Sequence, residues 1–296
     1  MSPPVLAQYS QYPGRRALIQ PHLPGAAPAV SVLTVTLNAA ATIERTIRSV
    51  QDQSFPGIEH IFVDGGSSDA TLDIIQACAR PQDYWISEKD RGISDAFNKG
   101  VSLARGLFVL ILNADDWLSQ DQVERAVTAL EQSGADFVFG DLIFYERDQA
   151  VFHYSGDPHY ARVIHRRWPS VGHPTMLVDR RAFERIGLFD PAYRNAMDYD
   201  WLLRLHRAGG RGVHSPAIVA HMTHDGVSNL QFARTIEEIR RITVAHGRSP
   251  AVAAIEAHMR QAKTAMAQPM KRHMRPLYRL IRGIINPAYK PASTIT

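Results

Sequence analysis

Asn113, Asp115 and Asp116 close a short apolar run, Val109-Leu110-Ile111-Leu112. Such a run reads as a buried parallel strand, and in an open α/β sheet ligands sit beyond the carboxyl ends of the strands. Adjacent carboxylates there are costly unless positive charge answers them. A hard divalent cation holding a diphosphate is the answer that oxygen donors favour. The competing reading is a helix start, with one Asp capping the segment Gln120 to Gln132. It accounts for one Asp and leaves the pair, and Asn113, unexplained.

Three further constellations carry chemistry. Asp64-Gly65-Gly66-Ser67 places a carboxylate and a glycine turn after an apolar run, where backbone must approach a ligand closely. Its freed N–H groups favour anionic or polar ligand atoms, although a plain βα turn has the same composition. No Gly-Lys-Ser/Thr and no GxGxxG follows, which removes the Walker and dinucleotide readings. In the stretch Asp90 to Gly100, Ser94, Asp95, Asn98 and Lys99 share one helix face, opposite Ile93, Ala96, Phe97 and Val101. A solvated face explains Lys99. It does not explain Arg91-Gly92 just before it, where the Arg91 fork can meet a phosphate. Asp198 and Asp200 fall in the first turn of a helix marked by Trp201, Leu202 and Leu205. Acids there are favoured by the helix dipole alone, and a carboxylate there can equally act as a general base.

The elements that position these groups follow from periodicity. Ala29 to Thr36, Ile58 to Val63, Tyr84 to Ser87 and Leu107 to Leu112 read as strands. Between them, Thr42 to Gln53 (Thr42 as N-cap), a segment through Ala79, and Ile93 to Ala104 read as helices. That alternation means a parallel, doubly wound sheet with helices on both faces. After Gly134 come a strand Asp136 to Asp141, the segment Leu142 to Tyr145 and a polar loop, a strand Val151 to Tyr154, a strand Val171 to Val178 returning to the site, and a short helix Arg181 to Ile186. His173 lies near the start of that last strand, so it faces the site or is a buried structural histidine. Trp168 either stacks on a ligand ring or packs. His221 and His224, read as loop residues, are a late metal-ligand option.

Composition bounds the rest. The chain has 296 residues, 45% hydrophobic and 21% charged, enough for a real core. A single cysteine, Cys78, excludes an internal disulfide and fits a reducing compartment. The Pro-rich, polar start does not read as a signal peptide, which points to a cytosolic or membrane-peripheral protein. Residues 1–28 read as a flexible arm. The net charge of +4 is uneven: from Ala257 onward there are eight Lys/Arg and no acid, against 25 basic and 29 acidic residues before it. Beyond Leu230 the chain reads helical, and Met270 to Ile285 mixes apolar and basic residues. That suits a helix lying on an anionic membrane surface, a basic tail, or a partner-binding helix. No aromatic–basic motif accompanies the charge, which argues against nucleic acid.

Val35-Thr36-Leu37-Asn38, Phe62 to Thr71, Asp90 to Gly100, Leu112 to Asp116 and Asp198 to Trp201 together resemble the family 2 glycosyltransferases of the GT-A fold, in family order from about Val30 to Ser228. The nearest likeness is to bacterial enzymes building capsule, exopolysaccharide or glycolipid sugars. The resemblance implies a GT-A sheet with a nucleotide-sugar-binding half (29–145), an acceptor and catalytic-base half (146–230) and a basic helical extension (231–296). It implies that Thr36, Asn38, Asp64, Gly65, Gly66 and Ser67 cradle the nucleoside, and that Arg91, Asp95 and Asn98 line the ribose–diphosphate side. Asn113-Ala114-Asp115 stands at the family's Asp-X-Asp position, with Asp115 or Asp116 holding Mg2+ or Mn2+. Asp198 matches the catalytic base, and His173 and Trp168 fall on the acceptor side. Three positions depart from the family: Gly65 where many members have an acid that contacts the base, Asn113 for the first Asp, and Met197 for the usual Glu. The implied reaction is inverting transfer from a nucleotide-sugar to a saccharide or lipid-linked acceptor. A sugar-1-phosphate nucleotidyltransferase and a non-catalytic nucleotide-sugar-binding partner are the rivals.

Overall fold

Runs such as Val30–Thr36 and Ile58–Asp64 are buried on both faces along their whole length, as strands inside a helix-covered parallel sheet must be. The computed structural model describes residues 15–18, 28–146, 148–223, 232–273 and 289–291. In chain order these give β1 (Arg15–Leu18), β2 (Val30–Thr36), α1 (Ile43–Gln51), β3 (Ile58–Asp64), α2 (Thr71–Cys78), β4 (Tyr84–Ser87), α3 (Ile93–Leu103) and β5 (Phe108–Asn113). There follow β6 (Trp117–Leu118), α4 (Gln122–Ser133), β7 (Phe137–Glu146), β8 (Gln149–Tyr154), α5 (Tyr160–Val163), β9 (Leu177–Asp179) and α6 (Arg180–Ile186). Last come α7 (Met197–Arg207), β10 (Gly212–Thr223), α8 (Phe232–Ala245), α9 (Pro250–His273) and β11 (Tyr289–Pro291).

The strands form one sheet in the order β1-β4-β3-β2-β5-β9-β7-β10-β6, with β8 on β7 and β11 on β8. From β4 to β5 the pairing is parallel. β9 then runs antiparallel to both β5 and β7, and β10 returns parallel to β7. Side chains alternate across the pleat. Leu33, Val35 and Val109 meet Phe97 of α3 and Leu202 of α7 on one face. Val32, Leu110 and Leu112 meet Val123 and Leu130 of α4 on the other. Asp141 knits the late strands together, accepting from His153 at 2.8 Å, His214 at 2.7 Å and the Gly156 N–H at 2.9 Å.

Several sequence expectations need correcting. Val171 to Val178 is not one strand: Pro174 sits in a 3-10 turn, His173–Thr175, and only Leu177–Asp179 pairs. Within the stretch expected as an arm, Arg15–Leu18 pairs with β4. Thr42 occupies the N-cap position, but its hydroxyl accepts from no helix N–H and points back to the Ala39 carbonyl at 3.4 Å. His221 is in β10, not a loop, while His224 and most of Met270 to Ile285 lie outside the described residues. Among the described residues no helix is long and apolar enough to cross a membrane.

Candidate active site

The carboxyl ends of β2 to β5 meet at one rim. Asp64 ends β3 fully buried. Its carboxylate accepts from the Thr36 hydroxyl at 2.9 Å, the Ser87 hydroxyl at 2.6 Å, the Gly66 and Ser67 N–H groups at 3.1 and 3.0 Å, and the Ser67 hydroxyl. Five donors leave it no lone pair for a ligand. The structure brings Thr36, Asp64 and Ser67 together, and their mutual hydrogen bonds brace the rim. Asn38 latches the rim, accepting the Ser68 N–H at 2.9 Å and donating its own N–H to Ser67. It does so at φ +52°, a region that Asn tolerates.

Asp90 and Leu37 flank Gly65 closely, and the missing side chain leaves its backbone bare. A Cβ built there would lie 2.7 Å from Asp90 Oδ2 and 3.6 Å from Leu37 Cδ1. Leu37 is exposed and Asp90 half-buried, with burial raising the Asp90 carboxyl above its ordinary range. Neither residue was singled out from sequence. The available signals were a large apolar residue exposed just after a strand and an acid adjoining Arg91.

The polar face of α3 is not solvated: Ser94, Asp95, Asn98 and Lys99 are all buried. Lys99 Nζ lies 2.9 Å from Glu88 and 3.7 Å from Asp95. Burial pushes the Asp95 carboxyl up, and hydrogen bonds from Arg91 with the charges of Lys99 and Arg91 outweigh it, leaving Asp95 below the usual range. Asp95 thereby anchors Arg91, whose side chain is 68% exposed against 2% for Asp95, through bonds of 2.9 and 3.1 Å. Asn98 does not line the rim. Its amide donates to the Phe189 carbonyl and accepts the Phe189 N–H, at 2.8 and 2.9 Å.

Asn113 ends β5, and Asp115 and Asp116 occupy the turn between β5 and β6, so neither Asp caps a helix; α4 starts later, behind Asp121. Asp116 is buried, and burial with the adjacent Asp115 charge holds its carboxyl well above the ordinary range. Burial raises Asp115 as well. Asn113 donates to Asp116 Oδ2 at 3.2 Å, which leaves Asn113 Oδ1 buried with no hydrogen-bond partner. The turn is tied down by Thr46, whose hydroxyl donates to Ala114 and Asp116 carbonyls, and by Thr223, which donates to the Asp115 carbonyl at 3.0 Å. Arg45, stacked 3.7 Å over the Trp117 ring, draws both acids back down. Two carboxylates that resist ionisation beside an orphaned amide oxygen make an oxygen-only donor set, which fits Mg2+ or Mn2+. His221 stacks on Trp117 with its Nε2 2.9 Å from the Ser119 hydroxyl, and burial lowers it to about 4. No cluster of three or more His, Cys, Asp or Glu placed for a metal occurs among the described residues.

Asp198 opens α7 and lines an apolar cavity with Phe97, Val109, Ile111, His173, Phe189 and Trp201. Burial, with the Glu238 charge adding to it, pushes its carboxyl up to about 7. Val109, Ile111 and Asn113 share one face of β5, so Asn113 is the next residue beyond the cavity wall, about 7 Å along the strand. His173 shares the cavity as a neutral ring, lowered to about 4 by burial, with its Nε2 unpartnered. Trp168 stacks on Tyr199 with centroids 6.1 Å apart and is not among the residues lining the cavity. Asp200 is spent on Arg204 at 2.8 Å and His246 at 3.2 Å. Ala196, at the N-cap, has no capping side chain; Glu238 of α8 takes the N–H groups of Arg194, Asn195 and Ala196 instead.

Comparison with known proteins places these residues in context. The family described as Glycosyl transferase family 2 matches residues 31–187. A PGL/p-HBAD biosynthesis glycosyltransferase of Mycobacterium tuberculosis is 32% identical over 204 residues, covering 67% of this chain and 75% of that one. A mannosyltransferase from Pyrobaculum calidifontis, solved with GDP-Man and Mn2+, superposes with a TM-score of 0.55 at 19% identity, over 96% of this chain and 82% of its own. S. aureus TarS 1-349 with UDP-GlcNAc gives 0.55 at 17%, over 77% and 70%, and this chain spans 41% of a longer TarS chain. At these identities the two structures speak for the fold.

Proposed function

The chain belongs to glycosyl transferase family 2 and has the GT-A fold, and from that premise we propose that it moves a sugar from a nucleotide-sugar donor to a hydroxyl of a saccharide or lipid-linked saccharide, inverting the anomeric centre. The observation that carries this reading is Asp198: a carboxylate near neutral pKa, in a cavity whose wall runs along β5 to Asn113 and the acid pair.

The nucleoside rests on the bare Gly65 backbone between Leu37 and Asp90, on the rim that Asp64 braces. Arg91, held by Asp95, reaches the diphosphate with its planar fork. Asp115 and Asp116, with Asn113 Oδ1, would hold the Mg2+ or Mn2+ ion, whose charge offsets that of the departing nucleoside diphosphate. Asp198 takes the proton of the acceptor hydroxyl as its oxygen attacks the anomeric carbon opposite the leaving group. One displacement breaks the sugar–phosphate bond and forms the glycosidic bond, so the configuration inverts. A base with a pKa near the working pH is the efficient one, and the apolar walls around Asp198 supply that pKa.

The test is a panel of UDP- and GDP-sugars with saccharide and lipid-linked acceptors, read by nucleoside diphosphate release and by NMR of the product's anomeric proton. The expected product has the anomeric configuration opposite to that of its donor. Binding of donors without release of nucleoside diphosphate from any of them, with any acceptor, would instead mark a non-catalytic binding protein.

A further inference from the structure

Helix α9 turns an apolar stripe towards solvent, free of charge among the described side chains. Val252, Ile255 and Met259 are 39%, 61% and 67% exposed, and their spacing puts them in one stripe. The other exposed side chains described on α9 are Pro250, Ala251, His258, Gln261, Ala262 and Ala265. None of them is Asp, Glu, Lys or Arg. The inward face is spent: Ala253 and Ala257 are buried beside Ile236 and Ile239 of α8. The charges at its edge are engaged, Glu256 with Arg248 and Arg260 with the Arg166 carbonyl. Lys263, Met266 and Met270 continue the outward spacing in the sequence, a basic residue among apolar ones.

An exposed apolar stripe of three large side chains is poorly suited to water, and the charge that follows it in the sequence says what covers it. From Ala257 to Thr296 the chain carries eight Lys/Arg and no Asp or Glu. A second copy seated on this face would bring two basic segments together. An anionic surface is complementary to both the apolar stripe and the charge that follows it. We propose that α9 docks this protein onto an anionic lipid bilayer, with Val252, Ile255 and Met259 entering the boundary between headgroups and acyl chains. This docking face stands on the helix alone and is independent of the transfer reaction.

The experiment is co-sedimentation of the full chain with vesicles of mixed phosphatidylglycerol and phosphatidylcholine, against vesicles of phosphatidylcholine alone. The wild type partitions about tenfold better onto the anionic vesicles, and salt at about 0.5 M removes most of that preference. The double variant I255E/M259E loses about tenfold in partitioning onto the anionic vesicles. Its melting temperature stays at the wild-type value, because both side chains already face solvent. Equal partitioning of variant and wild type, or no wild-type binding to anionic vesicles, overturns the proposal. So does a concentration-dependent dimer in light scattering that the same double variant abolishes, which assigns the face to a second copy.

Discussion

Ile111 and Asp198 line the same cavity, and Ile111 stands two residues before Asn113 on one face of β5. Metal-type oxygens and a base-type carboxylate are therefore linked along a single strand. Asp198→Asn should lower turnover by about 10²–10⁴-fold while calorimetry shows unchanged donor affinity. In the wild type the rate should fall as pH drops below about 7, where Asp198 takes up its proton.

The same carboxyl links stability to pH. In the unfolded chain an Asp ionises near ~3.9, whereas in the folded chain burial holds Asp198 near about 7. Between those values the folded state binds the extra proton, so this residue's contribution to stability falls as pH rises through the window. Above it, the buried charge costs on the order of a few kcal/mol. Asp198→Asn should therefore melt several degrees above wild type at pH 8 and at the wild-type temperature at pH 4. Equal melting at both pH values would contradict a buried, weakly acidic Asp198.

Metal removal offers a separate test. Saturating Mn2+ should raise the melting temperature at neutral pH, corresponding to roughly 2–3 kcal/mol at 100 times the dissociation constant, and EDTA should reverse it. Asp115→Asn and Asp116→Asn should each remove the response and weaken nucleoside diphosphate binding measured with Mn2+. An unchanged response in both variants would place the ion elsewhere.

Gly65→Ala should weaken nucleotide binding by about tenfold or more, because the added methyl meets Asp90 Oδ2 at 2.7 Å. In the double variant with Asp90→Ala the steric part of that loss should disappear, leaving the cycle strongly non-additive. Strict additivity would separate the two residues.

Asn98→Ala should behave as a stability variant. It strips hydrogen bonds from both the N–H and the carbonyl of Phe189 in a buried site, at about 3 kcal/mol in denaturant unfolding. At temperatures where the variant stays folded, KM for the donor should match wild type.

The half of the sheet from β2 to β5 was readable because its strands are short β-branched runs punctuated by Gly, Asn and Asp, where local pattern and burial agree. The later half resisted. β10 carries His214, Ser215 and Pro216 and has a register break between His214 and Val219, so no period of two marks it as a strand. Pro174 turned an expected strand into a helical turn. Side-chain partners were illegible where they lie far along the chain. The bonds of Asn98 to Phe189 were hidden because Phe189 lies 91 residues on. The cap of α7 was invisible because Glu238 lies 42 residues beyond Ala196. Asp64 was legible because it closes an apolar run before a glycine turn, while its bonds to Thr36 and Ser87, 28 and 23 residues away, were not.

The pairing of β6 with β10 ties the acid turn to a strand made about a hundred residues later in synthesis. Trp117 finds His221 across the strands, and the hydroxyl of Thr223 reaches back to Asp115. A nascent chain stopped short of β10 would display the acid turn half-secured, its edge unpaired. The acid turn is thus fully secured only once the last strand of the late half has left the ribosome.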